Sequence, residues 1–298
     1  MIETKTPKPA EQEQTKRPSY LDASRTISTL VASASFQHLR GTGVSVESSL
    51  FKSAARQADQ YERTGGDADS QKEADSLRVL SQLGEFTHGI EAIRHHHHRE
   101  PLTKRQLEAA KLRKIAFNHT VQDMLMHDPT IEFDELTNFL STMHGVLNRH
   151  RWDDDHEAWS TEAAWFRQEI VKTIHGMQQE IFGEQIASAI AGVQVERPSD
   201  PREDLRGIDR WVTMDGVRFP VDFKASYATA RHARSKSHTP EQVVYTGVEG
   251  PRFQKQLRLD ARDIALRIEQ MKRSLELAKQ AYLRRNQSLG YIAATYSQ

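Results

Sequence analysis

Two patterns of apolar residues divide the chain into a helical part and a later part that contains strands. Between residues 74 and 151 apolar side chains recur at helical spacing, as at Leu77, Leu80 and Leu83, and strand signals are absent. A mostly helical N-terminal region is therefore predicted over residues 23–150, although residues 20–66 carry few apolar side chains and are expected to be at best loosely helical. Residues 1–22 are polar with almost nothing to bury, which predicts a disordered tail.

A long amphipathic pattern then leads into a sheet. Residues 158–190 place apolar side chains such as Trp165, Ile174 and Ile186 at helical spacing. After Gly192 the pattern changes to alternating and β-branched residues at 193–195, 208–214 and 217–223. The predicted fold is α+β, with a mixed β-sheet flanked by helices over residues 151–259. A C-terminal helix and tail over residues 260–298 complete the chain.

Asp215-Gly216 predicts a tight hairpin between residues 208–214 and 217–223. A type I′ turn needs positive φ at both of its central positions, which aspartate and glycine tolerate. A two-residue loop sets Met214 opposite Val217, and the apolar residues of both strands then share one face of the sheet. The same register predicts which polar side chains meet on the other face.

That other face carries the candidate chemistry, because Asp209 and Asp222 are predicted to lie directly opposite each other. Two carboxylates at a Cβ separation of roughly 5 Å destabilise a sheet unless a cation neutralises them. Lys224 projects from the same face, since side chains alternate along a strand. Mg²⁺, or Mn²⁺ in its place, takes carboxylate oxygens and suits phosphodiester hydrolysis, with Lys224 helping to orient or deprotonate the water. The alternative is a surface hairpin in which Lys224 only screens the two aspartates.

These motifs resemble a known family. Gly207-Ile208-Asp209 followed by Pro220-Val221-Asp222-Phe223-Lys224 is similar to the second and third core strands of the PD-(D/E)XK nuclease superfamily. Phe182-Gly183-Glu184-Gln185-Ile186-Ala187 resembles the Gly-Glu-x-x-Ala helix of its Holliday-junction-resolvase-like branch. The resemblance implies a restriction-endonuclease-like core, a metal site of Asp209, Asp222 and Glu184, and Lys224 as a catalytic group. Glu180 and Glu169 are the weaker candidates on the same helix.

A basic stretch follows these motifs. Between Asp222 and Arg258 there are seven Lys and Arg residues against three acidic ones, an excess that would hold a phosphate backbone by charge. The alternative is an ordinary solvated loop. The predicted nucleic-acid-binding residues are Arg231, Arg234, Lys236, Arg252, Lys255 and Arg258.

Composition narrows the remaining choices. The 41 basic residues balance 41 acidic ones, so a nucleic-acid site must be a local patch. No cysteine is present, which excludes disulfides and thiolate chemistry and favours a cytoplasmic protein. No segment approaches the roughly 18 apolar residues of a membrane helix. The run His95-His96-His97-His98 is interpreted as a polar exposed run rather than a zinc site, and the acids of residues 153–157 as helix capping rather than a metal cluster.

Three functional hypotheses follow from the sequence. The first is a magnesium-dependent endonuclease or exonuclease acting on nucleic acid, with DNA as the expected substrate. The second is a catalytically inactive nuclease-like scaffold that binds nucleic acid or protein, and the third is the nuclease payload of a toxin or effector. Ile264, Ile268, Met271 and Leu275 form an apolar stripe on the C-terminal helix, which predicts core packing or a homodimer.

Overall fold

The structure is a computed structural model that describes residues 21–40, 42, 46–64, 68–98, 101–148, 156–236 and 242–295. Residues 1–20 of the predicted tail lie outside this set. The last two residues of the predicted tail belong to the fold, because Leu21 is buried and Asp22 caps the first helix. The Asp22 carboxylate accepts hydrogen bonds from the backbone N–H groups of Ser24 and Arg25. No described helix carries an apolar stretch long enough to cross a membrane.

The N-terminal region is helical, as predicted. Its helices are α1 (Ala23–Ala32), α2 (Ala34–Arg40), α3 (Val46–Thr64), α4 (Ala68–His98), α5 (Lys104–His127) and α6 (Phe133–Asn148). The expectation that residues 20–66 are only loosely helical was wrong. Leu30, Phe36 and Ala54 from this stretch are buried, so packing supplies the stability that helix propensity alone does not.

The later part of the chain combines helices with strands. Its elements are α7 (His156–Ser188), β1 (Val193–Glu196), α8 (Pro201–Leu205), β2 (Arg210–Met214), β3 (Val217–Lys224), α9 (Tyr227–Lys236), β4 (Val243–Tyr245), α10 (Ala261–Ala265) and α11 (Ile268–Thr295). The strands form one mixed sheet in the order β1-β2-β3-β4. The first three strands pair antiparallel, and β4 pairs parallel to β3. The predicted α+β class with a mixed sheet is confirmed.

The β2–β3 hairpin has the predicted register. Met214 pairs with Val217 and Val212 with Phe219. Asp215 and Gly216 adopt positive φ angles of 50° and 75°, as the two-residue turn requires. The turn therefore fixes which side chains share each face of the sheet.

Two apolar clusters form the core, and α7 belongs to both. The first half of α7 contributes Phe166, Ile170 and Ile174 to a helical cluster with residues of α1 and α3–α6. Its second half contributes Phe182 and Ile186 to a sheet cluster with β2, β3 and α11. The predicted boundary near residue 150 thus precedes a helix that both parts of the chain share.

Close packing joins α7 and α11 to the sheet. A Cβ atom added at Gly183 of α7 would lie 2.3 Å from Cγ of Phe223, so only glycine fits at this contact. On α11, Met271 and Leu275 are buried in the sheet cluster. The apolar stripe of the C-terminal helix is therefore used within the chain, and a homodimer through this helix stays a prediction.

Candidate functional site

The hairpin brings Asp209 and Asp222 side by side. The backbone N–H of Asp209 donates to the carbonyl oxygen of Val221 at 2.9 Å, which extends the hairpin by one residue beyond β2. The Asp209 side chain also accepts a hydrogen bond of 2.9 Å from the backbone N–H of Phe223. Both the backbone and the carboxylate of Asp209 are thus hydrogen-bonded to β3. This places Asp209 opposite Asp222.

Lys224 provides the positive charge between these two carboxylates. Its Nζ atom lies 3.6 Å from Oδ2 of Asp209 and donates a hydrogen bond to Oδ1 of Asp222. Burial alone would lower the pKa of Lys224, but the attraction of Asp209 and Asp222 outweighs it, so the pKa is raised. Lys224 therefore stays protonated at neutral pH.

One lysine does not neutralise two carboxylates. Burial, together with the neighbouring charge of Asp209, raises the pKa of Asp222 from 3.8 to about 8. Asp222 therefore retains a proton at neutral pH. This proton offsets the excess negative charge of the two carboxylates. A metal cation can offset the same charge in its place.

A third acid lies near the pair. Burial, followed by the charge of Asp209, raises the pKa of Glu180 from 4.5 to about 7. Glu180 accepts hydrogen bonds from the Gln122 side chain at 2.8 Å and from Nη1 of Arg210 at 3.1 Å. This glutamate, a weaker candidate in the sequence, is the one that shares a cleft with Asp209.

Arg210 forms hydrogen bonds with the acidic residues of this site, and only 1% of its surface is exposed. Its guanidinium donates to Glu184 at 2.8 Å, to the carbonyl oxygen of Asp209 at 2.6 Å and to Gln122 at 2.7 Å. Glu184 is thus engaged with Arg210, and it is not among the residues that line the cleft with Asp209. The role of Glu184 as a metal ligand stays a prediction that this contact does not support.

Arg210 and Gln122 were missed by sequence reasoning. Arg210 alternates in phase with Val212 and Met214, so a charged residue on the apolar face of β2 was a readable signal of a buried ion pair. Gln122 lies on α5, far away in the chain, and nothing in the sequence marks it.

No protein-family model, curated protein or solved structure matches this chain. The chemistry of the site is therefore inferred from the ligand atoms that its own side chains provide. Carboxylate oxygens suit Mg²⁺, which is often held by one or two carboxylates together with waters and substrate oxygens. Asp209 and Asp222 fit that requirement. Over the described ranges no three His, Asp or Glu side chains are grouped to hold an ion by themselves.

A cleft opens beside these acids, between α7 and α9. Its volume is about 540 Å³, which lies within the range of small-ligand sites. Asp209, Glu180 and Lys224 are among the residues that line it. The candidate site is therefore open to a ligand of substantial size.

Several of the side chains predicted to bind phosphate already bind other groups of the protein. Arg231 and Arg234 are exposed on α9, the helix that borders the cleft, although Arg234 also donates to the carbonyl oxygen of Val243 at 3.0 Å. The side chain of Lys236 lies outside the described residues. The other three cations bind groups of the protein: Arg252 pairs with Asp263, Lys255 with Asp134 at 2.7 Å, and Arg258 with the carbonyl oxygen of Leu125. The contacts of Arg252, Lys255 and Arg258 give no support to a phosphate patch there, and phosphate binding by α9 stays a prediction.

Two further candidates from the sequence lie elsewhere. His95, His97 and His98 are exposed in the last turn of α4, and His96 accepts a hydrogen bond of 2.8 Å from the backbone N–H of Leu102. These contacts agree with an exposed polar run. The acidic residues 153–155 lie outside the described residues.

Proposed function

We propose that this chain is a metal-dependent nuclease that hydrolyses phosphodiester bonds in nucleic acid. The observation that carries the proposal is the pair of opposed carboxylates, Asp209 and Asp222, which share a single lysine and raise the pKa of Asp222. In a hairpin with a purely structural role, opposite charges at these positions would be more stable. Mg²⁺ or Mn²⁺ is the proposed cofactor, bound by Asp209 and Asp222.

The order of the elements supports a restriction-endonuclease-like core. The motif residues that resemble the PD-(D/E)XK superfamily lie immediately before β2 and along β3, in a mixed sheet flanked by α7 and α9. The resemblance implies a glutamate on the preceding helix. Both Glu180 and Glu184 accept hydrogen bonds from Arg210, but Glu180 is the one that lines the cleft with Asp209, so we assign that position to Glu180.

Each residue of the site has a separate role in the proposed reaction. A bound divalent cation would activate a water molecule and stabilise charge at the phosphate. Lys224 orients the water and offers positive charge to a phosphate oxygen. Arg210 holds the Asp209 backbone and Glu180 together, so both acids keep their positions in the lining of the cleft.

The test is a cleavage assay on DNA and RNA, single-stranded and duplex, with Mg²⁺, Mn²⁺ or a chelator. The wild type should cleave only with metal, and Asp222→Asn should be inactive. Asp215→Asn is the matched control, because it lies at the tip of the same hairpin, pairs with Lys279 at 2.7 Å and tolerates asparagine at positive φ. Full activity of Asp222→Asn would refute the proposed site.

A catalytically inactive scaffold is the second candidate. It is favoured by the contacts of Lys224 with both carboxylates, since each carboxylate has a cationic partner in the absence of a metal ion. The two candidates differ in their response to metal. Unchanged thermal melting on addition of Mg²⁺ or Mn²⁺, together with no cleavage of any substrate, would favour the scaffold.

A further inference from the structure

The cleft between α7 and α9 has the properties of a ligand site in its own right. It leads directly to the acids and Lys224, and its volume of about 540 Å³ exceeds what a metal ion and its waters need. Its walls are formed by one face of each helix and the end of β3. They comprise Gly176, Gln179 and Glu180 of α7, Ala228, Thr229, His232 and Ala233 of α9, and Phe223 with Lys224.

Gly176 is the residue that keeps this cleft open. It lies in the interior of α7, where glycine destabilises a helix relative to alanine. Packing does not require it, because a Cβ atom added at Gly176 would meet nothing within 4 Å. Gly183, two turns later, is explained by its contact with Phe223. Gly176 has no such explanation within the protein, and a side chain longer than a single methyl group there would extend into the cleft.

The opposite wall is also formed by small residues. Ala228 and Ala233 of α9 face the cleft, while His232 and Gln179 add polar groups at its sides. The Gln179 side-chain oxygen accepts a hydrogen bond of 3.4 Å from the backbone N–H of Ala225, and its amide retains N–H donors. Small residues on both helices, together with donors and acceptors on neighbouring side chains, leave space for a flat polar ring.

The outer surface of α9 fits a single strand of nucleic acid. Tyr227, Arg231 and Arg234 lie at i, i+4 and i+7, so they form one exposed stripe on α9, and Tyr227 is 62% exposed. This stripe is separated from the cleft-lining Ala228 and His232 by the exposed surface of the helix. The Tyr227 ring contacts the Tyr245 ring edge-on at 6.3 Å, and Tyr245 lies next to Lys224 in the sheet. Aromatic rings together with arginines are the usual means of binding unpaired bases and their phosphates.

We propose that the cleft accepts the base and sugar of an unpaired nucleotide, so that the substrate is single-stranded or locally unpaired nucleic acid. The proposal rests on the proposed nuclease function, because it places that nucleotide beside the acids and Lys224. A base can enter a cleft between two helices only after it has left the duplex stack. The strand then continues across the exposed surface of α9, where Tyr227 and Arg231 bind it.

Binding is measured by fluorescence anisotropy in chelator, where metal-dependent cleavage does not occur. The probes are a labelled DNA single strand, an RNA single strand of the same sequence, a blunt duplex, and that duplex with one unpaired nucleotide. Gly176→Leu fills the cleft from α7, and Ala228→Leu fills it from an exposed position on α9, so the test survives if one variant fails to fold. Gly176→Ala is the matched control, because it adds only a methyl group in open space.

The wild type should bind the single strand and the duplex with an unpaired nucleotide about tenfold more tightly than the blunt duplex, as expected for stacking of one base. Both leucine variants should lose this preference. Gly176→Ala should bind as the wild type does and melt a few degrees higher. Comparison of DNA with RNA decides which strand the cleft prefers.

Equal binding of single strand and blunt duplex, or a preference unchanged in every folded leucine variant, would overturn the proposal. The same probes are then incubated with Mg²⁺ and Mn²⁺. The binding preference without any cleavage would refute the nuclease function and leave the cleft assignment standing. Metal-dependent cleavage without the binding preference would support the nuclease function and refute the cleft assignment.

Discussion

Replacing Asp222 with asparagine tests the charge imbalance of the site directly. The substitution keeps the shape of the side chain, removes one of two opposed negative charges, and leaves Lys224 paired with Asp209. In chelator we therefore expect Asp222→Asn to be more stable than the wild type at alkaline pH. The prediction is unusual, because most substitutions of buried groups are destabilising.

The structure sets the size of this effect. The rise in the pKa of Asp222 from 3.8 to about 8 corresponds to a ceiling of roughly 6 kcal/mol. Direct repulsion between two charges about 5 Å apart at an effective dielectric of about 20 gives roughly 3 kcal/mol. Attraction to Lys224 offsets part of it, so a net gain of about 2 kcal/mol is expected, equivalent to a Tm rise of about 4 °C.

The dependence on pH gives the prediction its sign. Because the pKa of Asp222 is raised in the folded state, its contribution to stability is fully present below its unfolded pKa of about 3.8. That contribution is lost as pH rises through about 8. The advantage of Asp222→Asn should therefore be small near pH 4, grow up to about pH 8 and then level off.

Thermal melting in chelator between about pH 4 and pH 9 measures this profile. Asp215→Asn is the control, because the neighbouring Lys279 lowers the pKa of Asp215 and the substitution removes that favourable contact. It should show no gain at alkaline pH. A wild type as stable as Asp222→Asn at about pH 9 would refute the argument that the carboxylates repel each other.

Lys224→Ala should reduce metal-dependent cleavage by about 100-fold or more with an unchanged circular dichroism spectrum, and near-normal rates would move the active site elsewhere. Mg²⁺ or Mn²⁺ should raise the Tm of the wild type more at alkaline than at acidic pH, because Asp222, with a pKa of about 8, must lose its proton to bind an ion. A Tm shift that is independent of pH would contradict this. Arg210→Ala should lower the free energy of unfolding in urea by about 3–5 kcal/mol, since it leaves buried carboxylates unpaired. Gly183→Ala should lower it by about 1–3 kcal/mol, because the added Cβ would clash with the Phe223 ring. Wild-type unfolding curves for Arg210→Ala or Gly183→Ala would contradict the packing described for each.

The hairpin was predictable because its information is local. Asp215-Gly216 sets the turn, the turn sets the register, and the register brings Asp209 opposite Asp222. Alternation along β3 then places Lys224 on the same face. Each step depends only on residues that are close together in the chain.

The choice between Glu180 and Glu184 was not predictable in this way. The two glutamates lie one helical turn apart on α7, so both appear on the same face of the helix in the sequence. Which of them approaches Asp209 depends on where α7 crosses the end of β2. That crossing is set by contacts such as Gly183 against Phe223, which a sequence pattern does not specify.

The basic stretch lost support, and the expectation of loosely helical residues 20–66 was wrong, for a related reason. Counting Lys and Arg between residues 222 and 258 gave an excess of positive charge, but Arg252 and Lys255 pair with Asp263 and Asp134 from other elements. Residues 20–66 carry few apolar side chains, yet partners from the helical cluster complete their packing. In both cases the deciding contacts join segments that are distant in the chain.

The position of α7 in both apolar clusters limits how this protein can be divided. A chain cut near residue 150 would leave Phe166, Ile170 and Ile174 facing water, and Arg210 would lose its hydrogen bond with Gln122. The helical part is therefore a piece of the scaffold that fixes the acids. Transfer of the sheet alone to another protein would include Asp209. It would not include the helical part that fixes the position of Asp209 through Gln122 and Arg210.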